Sequence, residues 1–274
     1  MRRMVMAWAA LACMAAPARA HEFWLAPSAY RASAGDTVSL RVYVGTGFRG
    51  ELKPYAPSRT VRFLLRATRE LDLSRAARNG DRVMARFVAP DDGGALVAYQ
   101  SNFADIELPS ADFDRYLADE GLDAVRAARA QKPSGATARE RYARCPKTWI
   151  AGTDSTRASR PVGLDYELVP RGAPGARSAL TVQVLFRGRP LAGALVRAWH
   201  RPLADPTHPV DAAARDSVAP VLRARTDGRG LATLAIDAYG EWMLSSVHMR
   251  PSADREEADW ESYWASLTFA KPLP

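Results

Sequence analysis

His21 is the residue of this chain with the most chemistry available to it. Arg2 and Arg3 precede an apolar run from Met4 to Ala16, and Ala18-Arg19-Ala20 puts small residues at the two positions a signal peptidase reads. Cleavage after Ala20 would leave a mature chain beginning His21-Glu22-Phe23-Trp24-Leu25. Its first residue would carry two nitrogen donors, the free α-amine and the imidazole Nδ1, able to close a chelate on one ion. Ordinary pKa values of about 7.7–8.0 and about 6.5 leave both close to their neutral, metal-ready forms near neutral pH. Such donors suit Ni(II), Co(II) or Cu(II). One more nitrogen would tighten the site. His248, at the end of the run Trp242 to His248, is the first candidate; His200 beside Trp199 and His208 in a proline-rich loop are weaker ones.

Other chemistries find less support. Gly45-Thr46-Gly47-Phe48-Arg49-Gly50 has dinucleotide-loop spacing, but Glu51-Leu52-Lys53-Pro54 follows where a helix would have to start, so a glycine-rich strand connection is expected. There is no G-x-S-x-G elbow, H-E-x-x-H pair or C-x-x-C pair. Asp254, Glu256, Glu257, Asp259 and Glu261 lack the alternation and glycine of a calcium loop and read as a solvated turn. Cys145, the one cysteine left after cleavage at Ala20, reads as a buried apolar thiol. Leu11-Ala12-Cys13 is a loose lipoprotein match and stays open as a rival processing site. The 38 Lys+Arg against 30 Asp+Glu are scattered without a basic block or aromatic interleaving, which argues against nucleic acid as a partner. The apolar run of the leader, about 13 residues, is shorter than the roughly 20 that span a bilayer. Export is therefore expected, with no membrane insertion after cleavage.

The elements that must position these residues read mainly as strands. Thr37 to Val44 alternates Val38, Leu40, Val42 and Val44 with Ser39, Arg41 and Tyr43, and Val61 to Leu65, Arg82 to Val88 and Ala95 to Gln100 repeat the signal between turn residues. Phe113, Tyr116, Leu117, Leu122, Val125 and Ala128 recur at helical spacing after Ser110. Strand rhythm returns from Lys147, with Leu180 to Phe186, Leu195 to Trp199, Leu231 to Ile236 and Trp242 to His248 separated by glycine-bearing corners. The expected architecture is a signal peptide (1–20), an N-terminal β-sandwich (21–108), a helical insertion (109–146) and a C-terminal prealbumin-like sandwich (147–274). The fold class is thus mainly β, two Ig-like sandwiches with a short helical insertion.

The start Ala20-His21-Glu22-Phe23-Trp24-Leu25, the segment Val44 to Gly50, the middle Arg139-Glu140-Arg141-Tyr142 with Lys147-Thr148, and the end Gly240-Glu241-Trp242 through Val247-His248-Met249 to Asp259–Trp264 together resemble the DUF4198 family. Cys145-Pro146 departs from the pattern, away from the proposed ligands. The resemblance implies an exported bacterial protein, with some members tied to periplasmic cobalt or nickel uptake, and a metal-handling role for His21 and His248. Three functions are carried forward. The first is a periplasmic nickel, cobalt or copper carrier that captures the ion for an inner-membrane transporter. The second is a carbohydrate-binding or adhesion module using Trp199, Trp242, Trp260 and Trp264 as stacking platforms. The third is an oxidative copper enzyme built on the same amino-terminal chelate.

Overall fold

The structure, a computed structural model, describes residues 22–131, 135–202 and 219–272. The leader, Cys13, His21 and His208 lie outside the described residues. Within them the chain is mainly β, with three sheets and two helices.

The first sheet contains β1 (Glu22–Pro27), β2 (Thr37–Thr46), β3 (Arg49–Lys53) and β6 (Ala85–Val88), with β2 pairing all three others. The largest sheet contains β4 (Thr60–Arg66), β5 (Glu70–Asp72), β7 (Ala95–Ser101), β8 (Ala104–Leu108), β9 (Ala138–Ile150), β13 (Leu195–Arg201), β14 (Leu222–Arg225), β16 (Gly240–Pro251) and β17 (Trp260–Lys271). Its order is β14-β13-β16-β17-β9-β7-β4-β5, with β8 also on β9. The third contains β10 (Tyr166–Pro170), β11 (Ala179–Phe186), β12 (Arg189–Pro190) and β15 (Leu231–Ala235).

Two β-sandwiches result, and they share the large sheet. On β7, Val97 and Tyr99 pack with Leu25, Leu40 and Phe63 beneath the first sheet, whereas Leu96 and Ala98 join Leu168, Val182 and Leu234 beneath the third. With both faces covered, β7 is buried along its whole length, as its near-continuous apolar sequence requires. The segments 21–108 and 147–274 both supply strands to this sheet, and the parallel pair β9–β17 joins them across the middle.

The expected helical insertion, 109–146, divides. Helices α1 (Ser110–Asp119) and α2 (Asp123–Arg129) form as their periodicity predicts and cover Val247, Met249, Trp260 and Trp264 through Phe113, Tyr116, Leu117 and Val125. From Ala138 onward the chain is strand instead. Arg139, Glu140, Arg141 and Arg144 hide the period-2 signal there because charged side chains point to both faces, where partners on neighbouring elements take them. Among the described residues no helix is long and apolar enough to cross a membrane.

One charged pair crosses the second sandwich. Lys147 on β9 donates from Nζ to Glu167 Oε1 on β10 at 2.8 Å, with both side chains almost wholly buried. The same carboxylate accepts the backbone N–H groups of Val162 and Gly163 at 2.7 and 3.1 Å, which fastens the preceding loop.

Candidate functional site at the amino end

Strand β1 crosses one face of the large sheet. Ser266 Oγ donates to Phe23 O and Thr268 Oγ1 to Leu25 O, each at 2.7 Å, so small polar side chains of β17 hold the β1 backbone. The glycine-rich segment closes over this strand as a β2–β3 hairpin, the strand connection its sequence predicts. Gly45 stands opposite Glu22 on one side and Gly50 on the other. A Cβ at Gly45 would lie 1.9 Å from Arg49 O, and one at Gly50 would lie 2.4 Å from the Trp24 ring. Neither position has room for a side chain. Gly45→Ala should therefore open the hairpin and lower stability by at least about 2 kcal/mol in urea denaturation. Gly228→Ala, at a turn where an added Cβ meets nothing within 4 Å, should change it by less than about 0.5 kcal/mol.

The hairpin seats Glu22. Its Oε2 accepts the Gly47 N–H at 3.2 Å, and its Oε1 accepts Arg197 Nη2 at 2.8 Å. The same guanidinium nitrogen donates to Glu120 at the end of α1, and the guanidinium carbon lies 4.9 Å from the Trp199 ring centroid. All three charged residues are buried. Arg197 Nε has no hydrogen-bond partner among the described residues. Burial raises the carboxyl pKa values of Glu22 and Glu120, against the opposing charge of Arg197.

A second acidic centre adjoins the first. Glu140 on β9 accepts the Tyr116 hydroxyl at 3.1 Å and the Ser262 hydroxyl, which itself accepts Trp264 Nε1 at 3.0 Å. Burial pushes Glu140 up to about 7 despite these bonds. Arg144, two pleat periods further along β9, lies over the Tyr142 and Trp264 rings at 4.8 and 4.5 Å. This layer thus sets the carboxylates of Glu22, Glu120 and Glu140 beside the guanidinium groups of Arg144 and Arg197.

The expected ligands fall as follows. His21 precedes the first described residue. His248 pairs with Tyr263 on β17, and its ring lies 4.5 Å from Phe186 and 5.9 Å from Tyr166, on the face covered by the third sheet. That is the face opposite the one β1 crosses. Burial, then the charge of Arg250, lowers the His248 pKa to about 4, so its ring is neutral at physiological pH. His200 contacts Tyr239 O through Nε2 at 2.9 Å and packs on Trp242. Among the described residues no group of three or more His, Cys, Asp or Glu side chains is arranged to hold a metal ion.

Several other expectations can be placed. Cys145 is buried, and burial pushes its thiol up to about 12. The acidic turn serves arginines: Glu257 pairs with Arg141, Asp259 with Arg139, and Glu261 with Arg141 and Arg250. Trp199, Trp242, Trp260 and Trp264 are all buried, so none presents a stacking platform for a polymer. The sequence reading missed Glu22, Glu120, Arg197, Glu140 and Arg144 as a unit. An acid inside the apolar opening of β1 was the signal for the first of them.

Fold and site together define a β-sandwich protein whose first strand is anchored by buried charge. The chain belongs to the DUF4198 family, described as a domain of unknown function, whose model matches residues 18–250. No curated protein matches it. Among solved structures it is similar to the "D0-D1 domain of Intimin", at 10% identity and a TM-score of 0.18, covering 91% of this chain and 97% of that one.

Proposed function

We propose that this protein is exported to the periplasm, cleaved after Ala20, and there binds Ni(II), Co(II) or Cu(II) through the α-amine and ring nitrogen of His21 for delivery to an inner-membrane transporter. The observation that carries this reading is the anchoring of Glu22. Two contacts of its carboxylate and the strand pairing with Gly45 fix the residue next to the chelating one. The donors of His21 would then be attached to a rigid sheet surface, which reduces the ordering cost of capturing an ion.

We leave His248 out of this ligand set, since its ring lies on the sheet face opposite the one β1 crosses. The remaining coordination positions would fall to water, to a small molecule or to the receiving transporter.

The test is calorimetric titration of protein beginning at His21, beside protein retaining Ala20 and beside His248→Ala. Retaining Ala20 converts the amine to an amide and should weaken binding by about 100-fold, the order of gain expected from joining two donors in one chelate. His248→Ala should bind within about threefold of the parent. Equal affinities for the two amino ends would overturn the reading.

A further inference from the structure

Strand β16 outlasts its partner on one side. β13 pairs with it only as far as Val196 opposite Ser246, whereas β17 pairs with it on the other side through to Pro251. At the break, Ser246 Oγ donates to Leu195 O at 2.7 Å, and the residues before Leu195 turn away to Thr226. There Ala194 N–H donates to Thr226 Oγ1 at 2.9 Å and Gly193 N–H to Thr226 O at 3.0 Å. Among the described residues no strand takes the β13-side edge of Val247, His248, Met249 and Arg250. A cavity of about 370 Å³ lies there, lined by Val247, His248 and Met249. Backbone groups on a bare strand edge are strong donors and acceptors at regular spacing.

The remaining walls limit what can enter. Leu122 and Val125 of the helix pair pack with Val247 and Met249, and Leu191 packs on the core beneath the third sheet. The charged groups of the lining are matched already. Arg225 donates to Asp123 at 2.7 Å and to the carbonyls of Gly193 and Gly121 at 2.9 and 3.2 Å, and Glu120 accepts Arg197. His248 is neutral at physiological pH. A charged occupant would lose hydration here and gain no free counter-charge. A neutral chain with regularly spaced N–H and C=O groups and apolar side chains meets both the edge and the walls.

We propose that this cavity is a docking site for an extended, uncharged peptide segment, which pairs with β16 along Val247 to Arg250 in the line of the sheet that β13 vacates. Main-chain hydrogen bonds to the edge supply affinity, and the cavity selects side chains, as in other cases of strand addition. At a rise of roughly 3.3 Å per residue the bare edge is about 13 Å long and takes about four residues. Alternate side chains of the added strand point to opposite faces, one set toward Leu122 and Val125 and the other toward Leu191. The site needs neither His21 nor a metal ion, so it stands or falls separately from the proposed chelate.

The test is titration of metal-free protein with a capped pentapeptide of alternating threonine and leucine. Three relatives serve as controls: the same peptide N-methylated throughout, a version with glutamate in place of leucine, and N-acetyl-leucine amide. The parent peptide should bind saturably below about 1 mM. Each control should bind about tenfold more weakly or worse, having lost the strand hydrogen bonds, the neutral apolar side chains or the length to pair. Hydrogen exchange across residues 247–250 should slow on saturation, while that of the β6 edge, residues 85–88, stays the same. Ala124→Trp and Ala192→Trp, at exposed positions of the lining, should each weaken the peptide by about tenfold with the circular dichroism spectrum and melting temperature unchanged. No saturable binding of the parent peptide, equal binding of the methylated peptide or of N-acetyl-leucine amide, or unchanged affinity in both tryptophan variants would overturn the proposal.

Discussion

Arg197→Met should destabilise the protein by about 3–5 kcal/mol at neutral pH, the penalty usual for breaking a buried ion pair from one side. Arg197 is the shared partner of Glu22 and Glu120, and all three are buried, so truncating it leaves two carboxylates out of water without their cation. For a chain of this size the melting temperature should fall by roughly 2–4 °C per kcal/mol. The pH dependence follows in sign. Both carboxyl groups have pKa values raised above 4.5 in the folded protein. The folded state therefore holds more protons than the unfolded state above that pH, and stability falls as pH rises. Removing Arg197 removes the charge that opposes this shift, so the variant should be steeper than the parent, with the gap between them narrowing toward pH 5. Adding Glu22→Gln and Glu120→Gln should recover much of the loss. A gap independent of pH, and not relieved by the amides, would mean that Arg197 acts by packing on Trp199 alone.

Lys147→Met should be comparably severe, about 3–5 kcal/mol by the same mechanism. Here the geometry supplies an internal control. Glu167 accepts two backbone N–H groups besides Lys147, so a glutamine at 167 keeps an oxygen for Val162 and Gly163 while removing the charge. Lys147→Met with Glu167→Gln should accordingly be more stable than Lys147→Met alone, as measured by chemical denaturation. Glu167→Leu, which keeps bulk but offers no acceptor, should not rescue. If the double variant with glutamine were no better than the single one, the N–H contacts rather than the buried charge would dominate.

Much of the strand content was legible because burial alternates along it. Val38, Leu40 and Val42 mark β2, and Phe113, Tyr116 and Leu117 mark α1, where the structure has them. The glycines from 45 to 50 were legible as a strand connection because a proline and a charged run follow in place of a helix. What periodicity cannot supply is the identity of the opposing layer. Ser262, Ser266 and Thr268 alternate with Tyr263, Ala265, Leu267 and Phe269 like a wet face, yet all three are buried, two of them holding the backbone of β1. The charged cluster was hidden for a related reason. Arg197 lies 175 residues from Glu22 and 77 from Glu120 in sequence, so only the assembled sheet brings them together. His248 shows the limit from the other side: its residue type and nearness to a strand end suggested a ligand, but the face it occupies depends on register, which one residue inverts.

The parallel seam between β9 and β17 bears on how the molecule is made. Trp260 pairs with Glu140, and Arg141 reaches Glu261 across 120 residues of sequence. During synthesis the edge of β9 that will receive β17 stays bare while all the intervening residues are added, and closing so long a loop is entropically slow. A nascent chain of this design can complete its large sheet only after β17 has been added.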